Sequence, residues 1–349
     1  MTKIYALTDY KGYFGSKWKS VPYRSGFIQQ DLKSGFNKFN FDIEFIRYQN
    51  VRFKKNWENK IVIYTSSEET GFHYKSYIED IVLALERAGA IVLPRYDFLR
   101  ANNNKVYMEI LREQLLGEEL SGNASRWYGT LDELMIDLEQ NNIEFPCVIK
   151  KSAGAMSRGV FLAKTKDEII RSAKKISRSS GIRTVIKEII RARKHAGYQP
   201  ESKYQHKFIV QKFIPDLQND WKILVFGNRF YVLRRGIKQN DFRASGSHYN
   251  YKAGSESGLP LELLDKAREI YQKLDVPHLS LDFAFNGEKA IVHEFQAVHF
   301  GTSTMEFSKD LFVFENNEWK TTKDGLTQEE EYVWGLVNYF GNHPELLNK

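Results

Sequence analysis

Asp282, Glu294 and Gln296 are the side chains of this chain whose types and spacing point most directly to chemistry. They lie in SLDFAFNGEKAIVHEFQ, residues 280–296. Leu281, Phe283 and Phe285 alternate with Ser280, Asp282 and Ala284, as on a half-buried strand. Asn286-Gly287 is a hairpin signal, because both residues tolerate positive φ. The return strand runs from Ala290 to Gln296, and Glu294 and Gln296, two apart, leave the same face. Asp282 joins that face if the hairpin pairs suitably. Two carboxylates and an amide oxygen facing one space suit Mg²⁺, a hard cation often completed by nucleotide phosphates. The same residues serve equally well as the wet side of an ordinary antiparallel hairpin.

A second candidate is the run FPCVIKKSAGAMSRGVFL, residues 145–162. A strand leads through a small-residue loop into another strand. Gly154, Ser157 and Gly159 let backbone N–H groups approach an anion, and Lys150 at the strand end can reach phosphates. The lysine precedes the glycines and no helix follows at once, so this is not a P-loop. A plain hairpin turn is the competing reading. Cys147, the one cysteine, sits in an apolar run; it reads as a buried filler, excludes an internal disulfide and fits a reducing compartment.

The elements that must position these groups are legible in outline. With 349 residues the chain is too long for one ordinary core. Residues 1–100 alternate as a βαβ unit. Strands are expected at Lys3–Leu7, Phe41–Ile46, Lys60–Tyr64 and Ala90–Leu93, and helices at Phe27–Phe36 and Tyr74–Ala88. The first residues read as a strand rather than a leader, and no stretch approaches a spanning helix. Asn102–Asn104 precede a helix over Lys105–Leu116, and Thr130 with Glu133 predicts a capping box. Basic helices follow at Lys166–Arg178 and Arg183–Lys194; Val185, Ile186, Ile189 and Ile190 form an apolar stripe expected to pack in a core. Strands are expected at Phe208–Ile214, Asp220–Phe226 and Arg229–Arg235, a helix at Pro260–Leu274, and a helix over Gln328–Phe340 that could dock on a neighbour. The net charge is +7, yet Lys164 to Lys207 alone holds 13 Lys/Arg against 4 Asp/Glu. That excess of +9 leaves −2 for the remainder. A polyanion is the natural partner of such a segment, and a solvated helical face is the alternative.

Taken in order, these pieces resemble the ATP-grasp superfamily, mostly carboxylate–amine or carboxylate–thiol ligases, over roughly Asn102 to Ser303. Pro146-x-Val148-Ile149-Lys150 with Gly154…Gly159-Val160 resembles the lysine strand and phosphate-covering loop. Val210-Gln211-Lys212-Phe213-Ile214 resembles the adenine-binding hinge, residues 220–235 the next two strands, and Asp282 with Glu294-x-Gln296 the metal ligands. The resemblance implies an α/β fold with α+β lids: an ATP-grasp fold behind an N-terminal α/β domain of the pre-ATP-grasp kind. The expected division is 1–101 as the N-terminal substrate-side domain, 102–310 as the ATP-grasp domain and 311–349 as a tail with a docking helix. Within the second, a lid covers about 127–212 and a metal-binding catalytic part 213–310.

The resemblance also implies site residues. Lys150 and Lys105 bind phosphates beneath the Gly154, Ser157 and Gly159 loop. Gln211, with backbone groups of Lys212 and Ile214, takes the adenine edge; Asp220 contacts ribose. Asp282, Glu294 and Gln296 hold one or two Mg²⁺, although many members carry Asn where this chain has Gln296. Arg235 and Arg243 are the catalytic candidates, stabilising the transferring phosphoryl group or a substrate carboxylate. The implied reaction is ATP-dependent ligation of a carboxylate to an amine through an acyl phosphate, releasing ADP and phosphate in the cytoplasm. The substrates would be small: an amino acid, a peptide or a sugar acid. Nucleic acid is not expected as a partner, and a homodimer is compatible. The alternatives are a small-molecule kinase of the same fold, a polyanion-binding protein using residues 164–207, and a nucleotide-binding module without turnover. Specificity is expected from Tyr13–Tyr23, Ser66–Tyr74 and Arg243–His248, with Lys17, Arg24 and His248 as candidate contacts for acidic groups.

Overall fold

The structure, a computed structural model, describes residues 1–347 apart from 123, 155–158, 240, 241, 244–248, 288 and 289. Ser157 and His248 therefore lie outside the described residues. The first sheet is parallel, in the order β2 (Phe41–Arg47), β1 (Thr2–Thr8), β3 (Ile61–Tyr64) and β4 (Ile91–Leu93). β1 and β3 are apolar and buried on both faces, as strands between two helical layers must be. On one face lie α2 (His73–Arg87) and α3 (Tyr96–Ala101), whose Ile78, Val82, Leu85 and Leu99 meet Leu7, Val62 and Val92. On the other, α1 (Gln29–Asn37) shares a core with the last helix of the chain.

From α4 (Lys105–Ser121), which bends where Gly117 leaves helical φ/ψ, the chain enters a small antiparallel lid sheet. Its order is β5 (Ser125–Tyr128), β8 (Phe208–Lys212), β6 (Cys147–Lys151) and β7 (Val160–Ala163). α5 (Leu131–Glu139) carries the expected capping box from Thr130 and Glu133. With α6 (Lys166–Ser177) it covers one sheet face, burying Leu134, Leu138, Ile169 and Ala173 on Cys147, Ile149 and Phe208. Burial pushes the Cys147 thiol up to about 11, which fits an inert filler.

α7 (Ile182–Lys194) departs from expectation. Ile182, Ile186, Ile189 and Ile190 are 73%, 51%, 47% and 57% exposed, and the buried residue of this helix is Glu188. Glu188 accepts hydrogen bonds from Tyr198 Oη (2.6 Å), Arg191 (2.6 Å) and the Glu201 backbone (3.2 Å). Periodicity reports that a helix face is apolar; it does not supply an opposing surface. Ile186→Ala should therefore change unfolding free energy by under about 0.5 kcal/mol. A buried isoleucine would cost about 2–5 kcal/mol. Urea denaturation separates the two.

The central sheet runs β13 (Ala290–Gln296), β12 (His278–Phe285), β9 (Asn219–Phe226), β10 (Arg229–Gly236), β14 (Leu311–Glu315) and β15 (Glu318–Thr322), with the short β11 (Lys252–Ala253) beside β10. Under one face, α8 (Leu261–Leu274) and α4 bury Leu263, Ile270 and Leu111 against Ile223, Leu281 and Phe283. The short α9 (Ser303–Phe307) lies at the other face. On that second face Asp220, Lys222, Arg235, Asp282 and Glu294 make a polar stretch beside Lys105. α10 (Gln328–Asn342) does not wait for a neighbour: Val333, Leu336 and Phe340 pack on Ile4, Phe36 and Ile63 of the first sheet.

Candidate active site

Asp282 and Glu294 face each other because of one irregularity. β12 and β13 pair Phe285 with Ala290 and continue to Phe283 with Val292; then the register shifts and Asp282 pairs with Glu294, Ser280 with Gln296. Without the shift, Asp282 would oppose His293, and Glu294 and Gln296 would point into the apolar layer, since a one-residue slip exchanges faces. His293 is the extra residue of this bulge. Its Nδ1 is buried with no hydrogen-bond partner, and burial, with Lys150 nearby, pushes its pKa down to about 3, so the ring is neutral.

The neighbouring strands bring cations to the two carboxylates. Asp282 pairs with Lys222 across β9 and Asp220 with Arg235 across β10, so all four side chains share the face. Arg235 grips Asp220 with Nε (2.6 Å) and Nη2 (2.8 Å), and its Nη2 lies 2.9 Å from Asp282 Oδ2. Lys222 Nζ lies 3.5 Å from Asp282 Oδ1 and donates to Ser280 Oγ at 2.7 Å. Burial works to raise both carboxyls. Arg235 and Lys222 overcome it at Asp282, holding that group well below the usual range, whereas Asp220 stays up at about 6. Asp220 thus has both oxygens on Arg235, in place of the ribose contact expected for it.

The lid side supplies lysines. Lys105, first residue of α4, bonds Glu294 Oε2 at 3.0 Å, and its backbone N–H is held by Ser152 O at 2.8 Å. Lys150 lies in reach of the charges of Glu109, Lys105, Glu294 and Arg112; burial brings its pKa down to about 8, and Lys105 and Arg112 push the same way. Strand alternation directs Lys150 to this side, while Cys147 and Ile149 join the core under α5 and α6. Gly154 (φ 131°) and Gly159 (φ 81°) both hold left-handed backbone that favours glycine. Gln211 is buried, and its Nε2 donates to Glu109 (3.1 Å) and Ser125 Oγ (2.9 Å). Lys212 reaches outward to Glu144 at 2.8 Å, and Ile214 is half-buried just past β8. Arg243 is exposed, its guanidinium 5.7 Å from the centre of the Phe242 ring.

Several participants escaped the sequence reading. Glu109 and Arg112 follow the expected Lys105 at i+4 and i+7 on α4, a helical face visible in the sequence. Lys222 is two residues from Asp220 on one strand and could have been paired with it. Glu68 follows β3; it accepts from Asn102 Nδ2 at 2.6 Å, and burial, with Glu69 and Glu294 adding, pushes it up to about 7. Lys17, by contrast, pairs with Glu329 at 2.7 Å and ties the first loop to α10, and Arg24 lies exposed over Tyr23.

The donor set suits a hard divalent cation. Asp282 Oδ1 is a buried carboxylate oxygen with no hydrogen bond. Glu294 and Gln296 stand on the same face, 3.3 Å apart through Gln296 Nε2 and Glu294 Oε1. Half a turn of the amide presents an oxygen instead. Among the described residues no cluster of three or more His, Cys, Asp and Glu side chains could hold a metal. Two carboxylates and an amide are therefore an incomplete shell, of the kind that Mg²⁺ completes with water and phosphate.

No family model and no curated protein matches the chain. Among solved structures it is similar to the D-cycloserine synthetase DcsG, at 10% identity and a TM-score of 0.55, over 96% of this chain and 98% of that one. It is also similar to the VanG D-Ala:D-Ser ligase from Enterococcus faecalis, at 12% identity and a TM-score of 0.53, over 97% and 99%. Likeness at these identities establishes a shared fold. No described helix is long and apolar enough to cross a membrane.

Proposed function

We propose that this chain, built on the ATP-grasp fold, is an ATP-dependent ligase joining a small carboxylate to an amine through an acyl phosphate. The observation that carries the reading is the bulge at His293, which sets Asp282 and Glu294 on one face opposite Lys105 and Lys150. That arrangement gives a triphosphate what it needs, cations on one side and metal ligands on the other.

Mg²⁺ held by Asp282, Glu294 and Gln296 would neutralise phosphate charge during transfer. Lys105 leaves Glu294 for the phosphates when nucleotide enters, and Lys150 bonds them from the lid strand. Backbone N–H groups at Gly154 and Gly159, which hold positive φ, are suited to border them. Gln211 and the Lys212–Ile214 backbone border the adenine. Phosphoryl transfer needs positioning and charge compensation more than covalent help from the protein. Arg235, fixed by Asp220 and Asp282, is placed to stabilise the charge that develops on the transferring group; Arg243 is assigned the incoming carboxylate. Glu68, near its midpoint at neutral pH, is suited to take the proton of the attacking amine. Exclusion of water by the lid protects the acyl phosphate. The names of the similar D-cycloserine synthetase and D-Ala:D-Ser ligase, together with the cation and carboxylate chemistry of the site, support an amino acid or peptide substrate. The lone buried thiol and the demand for ATP support a cytoplasmic location.

The deciding experiment screens paired carboxylates and amines for ADP release, then repeats the active pair with an ¹⁸O-labelled carboxylate. Label appearing in released phosphate is expected. ADP formed with label retained, and phosphate left on a hydroxyl, would identify a kinase and sink the ligase reading.

A further inference from the structure

β6 presents lysines to both of its sides. Lys150 faces the cluster just described, whereas Lys151, next in the strand, faces a separate cavity of about 210 Å³ between the lid sheet and the helices α2 and α3. Lys75, Glu79, Arg100, Lys151, His206 and Lys207 line it. The volume is roughly that of seven waters.

Its charges do not balance. Glu79 is the carboxylate among the lining residues, and two cations already share it: Lys75 Nζ at 2.6 Å and Arg100 at 3.3 Å. Lys75 and Glu79 side chains are only 6% and 12% exposed, so this pair is built into the wall. Lys151 and Lys207 have no ion-pair partner among the described residues. Lys207 is half-buried, and burial followed by repulsion from Arg100 lowers its pKa. Withdrawing Lys207 from water beside other cations is unfavourable unless an anion completes the group, while Lys151 stands exposed at the rim.

We infer that this cavity is a binding site for a compact dianionic oxyanion, inorganic phosphate or the phosphate monoester end of a larger molecule. The anion would bridge the two units. Lys75 and Arg100 belong to the first sheet's helices, whereas Lys151 and Lys207 belong to the lid, three residues before Gly154 and one before β8. Binding would draw the lid sheet toward the first unit. The site needs no part of the nucleotide reading, but it gives lid closure a second ligand.

Phosphate binding is measured by calorimetry and thermal unfolding at constant ionic strength, alone and with a saturating non-hydrolysable ATP analogue and Mg²⁺. Wild type is compared with the double variant Lys151→Met, Lys207→Met. Phosphate should stabilise the wild type more than chloride does, in both conditions. The double variant should bind phosphate at least tenfold more weakly, keep analogue affinity within twofold, and unfold no earlier without phosphate, since a repulsion has been removed. Should the double variant fold poorly, Lys207→Gln alone should still weaken phosphate at least threefold. Glycerol 3-phosphate forms a second arm: tighter binding than phosphate points to a substrate-borne group, equal binding to the free ion. Equal phosphate affinity in wild type and variants, or stabilisation reproduced by chloride, overturns the proposal. Failure of the analogue to bind the wild type would count against the nucleotide reading alone, because the phosphate comparison without it still stands.

Discussion

Lys150→Met should abolish turnover and, at pH 7, raise the free energy of unfolding by about 3 kcal/mol. The lysine's pKa falls from the ordinary 10.5 to about 8 in the folded chain. Below pH 8 both folded and unfolded chains carry the proton, and the folded state bears the full cost of holding a desolvated ammonium. Between pH 8 and 10.5 the folded state releases its proton first, so wild-type stability climbs with pH across that window. Methionine keeps the stem and removes the charge. The stability gap between variant and wild type should therefore be largest at pH 7 and nearly closed at pH 10.5. Glu294→Ala should also abolish turnover but lower stability at pH 7, because it leaves Lys105 and Lys150 facing each other without their shared counter-charge. Urea unfolding at pH 7 and pH 10 measures both. A Lys150→Met protein less stable than wild type at pH 7 would show that Glu109 and Glu294 more than compensate the burial.

Arg235→Met should cost about 3–5 kcal/mol of stability, the usual scale for stranding buried partners of an ion pair, and should remove turnover as well. Asp220 and Asp282 then share a low-dielectric site with Lys222 as the remaining cation among the described residues. Asp220 already sits at about 6 with Arg235 present, above its unfolded value, so in the variant its proton is held more tightly still. A carboxyl raised in the folded state favours folding at low pH and opposes it as pH rises through that raised value. Asp282, held well below the usual range by Arg235, already depends on that guanidinium at pH 4.5, so the defect should be present there, shrink only in stronger acid, and grow further from about pH 6 upward as Asp220 loses its partner. Adding Asp220→Asn and Asp282→Asn to Arg235→Met should recover most of the stability without recovering turnover. A defect independent of pH would place its origin in lost packing rather than in stranded charge.

The sequence was most legible where local rules act alone. Thr130 and Glu133 marked a helix start, and the alternating apolar runs of residues 1–100 marked a parallel sheet, because capping and two-sided burial need no knowledge of distant partners. The candidate site was legible as a set of residues but not as a geometry. A tight turn at Asn286-Gly287 would have put Glu294 on the wrong face from Asp282; the register shift at His293 corrects this, and no residue type announces such a shift. Asp220 looked available for ribose because its partner Arg235 lies fifteen residues away on another strand. That Gln211 would spend its Nε2 on Glu109 was not readable, because Glu109 lies 102 residues earlier on α4. The apolar stripe of α7 illustrates the same limit in reverse: spacing fixed the face, and only the tertiary structure could show it bare.

The position of α10 bears on how the molecule is made. Its Val333, Leu336 and Phe340 cover Ile4, Phe36 and Phe41, which leave the ribosome some three hundred residues earlier. Until that helix emerges, that side of the first sheet is covered only in part, by α1 and the residues around Phe14 and Phe27. The nascent chain therefore carries a sticky surface through most of its synthesis, and a transcript cut short before residue 328 would yield a product suited to chaperones and proteases rather than a smaller working enzyme.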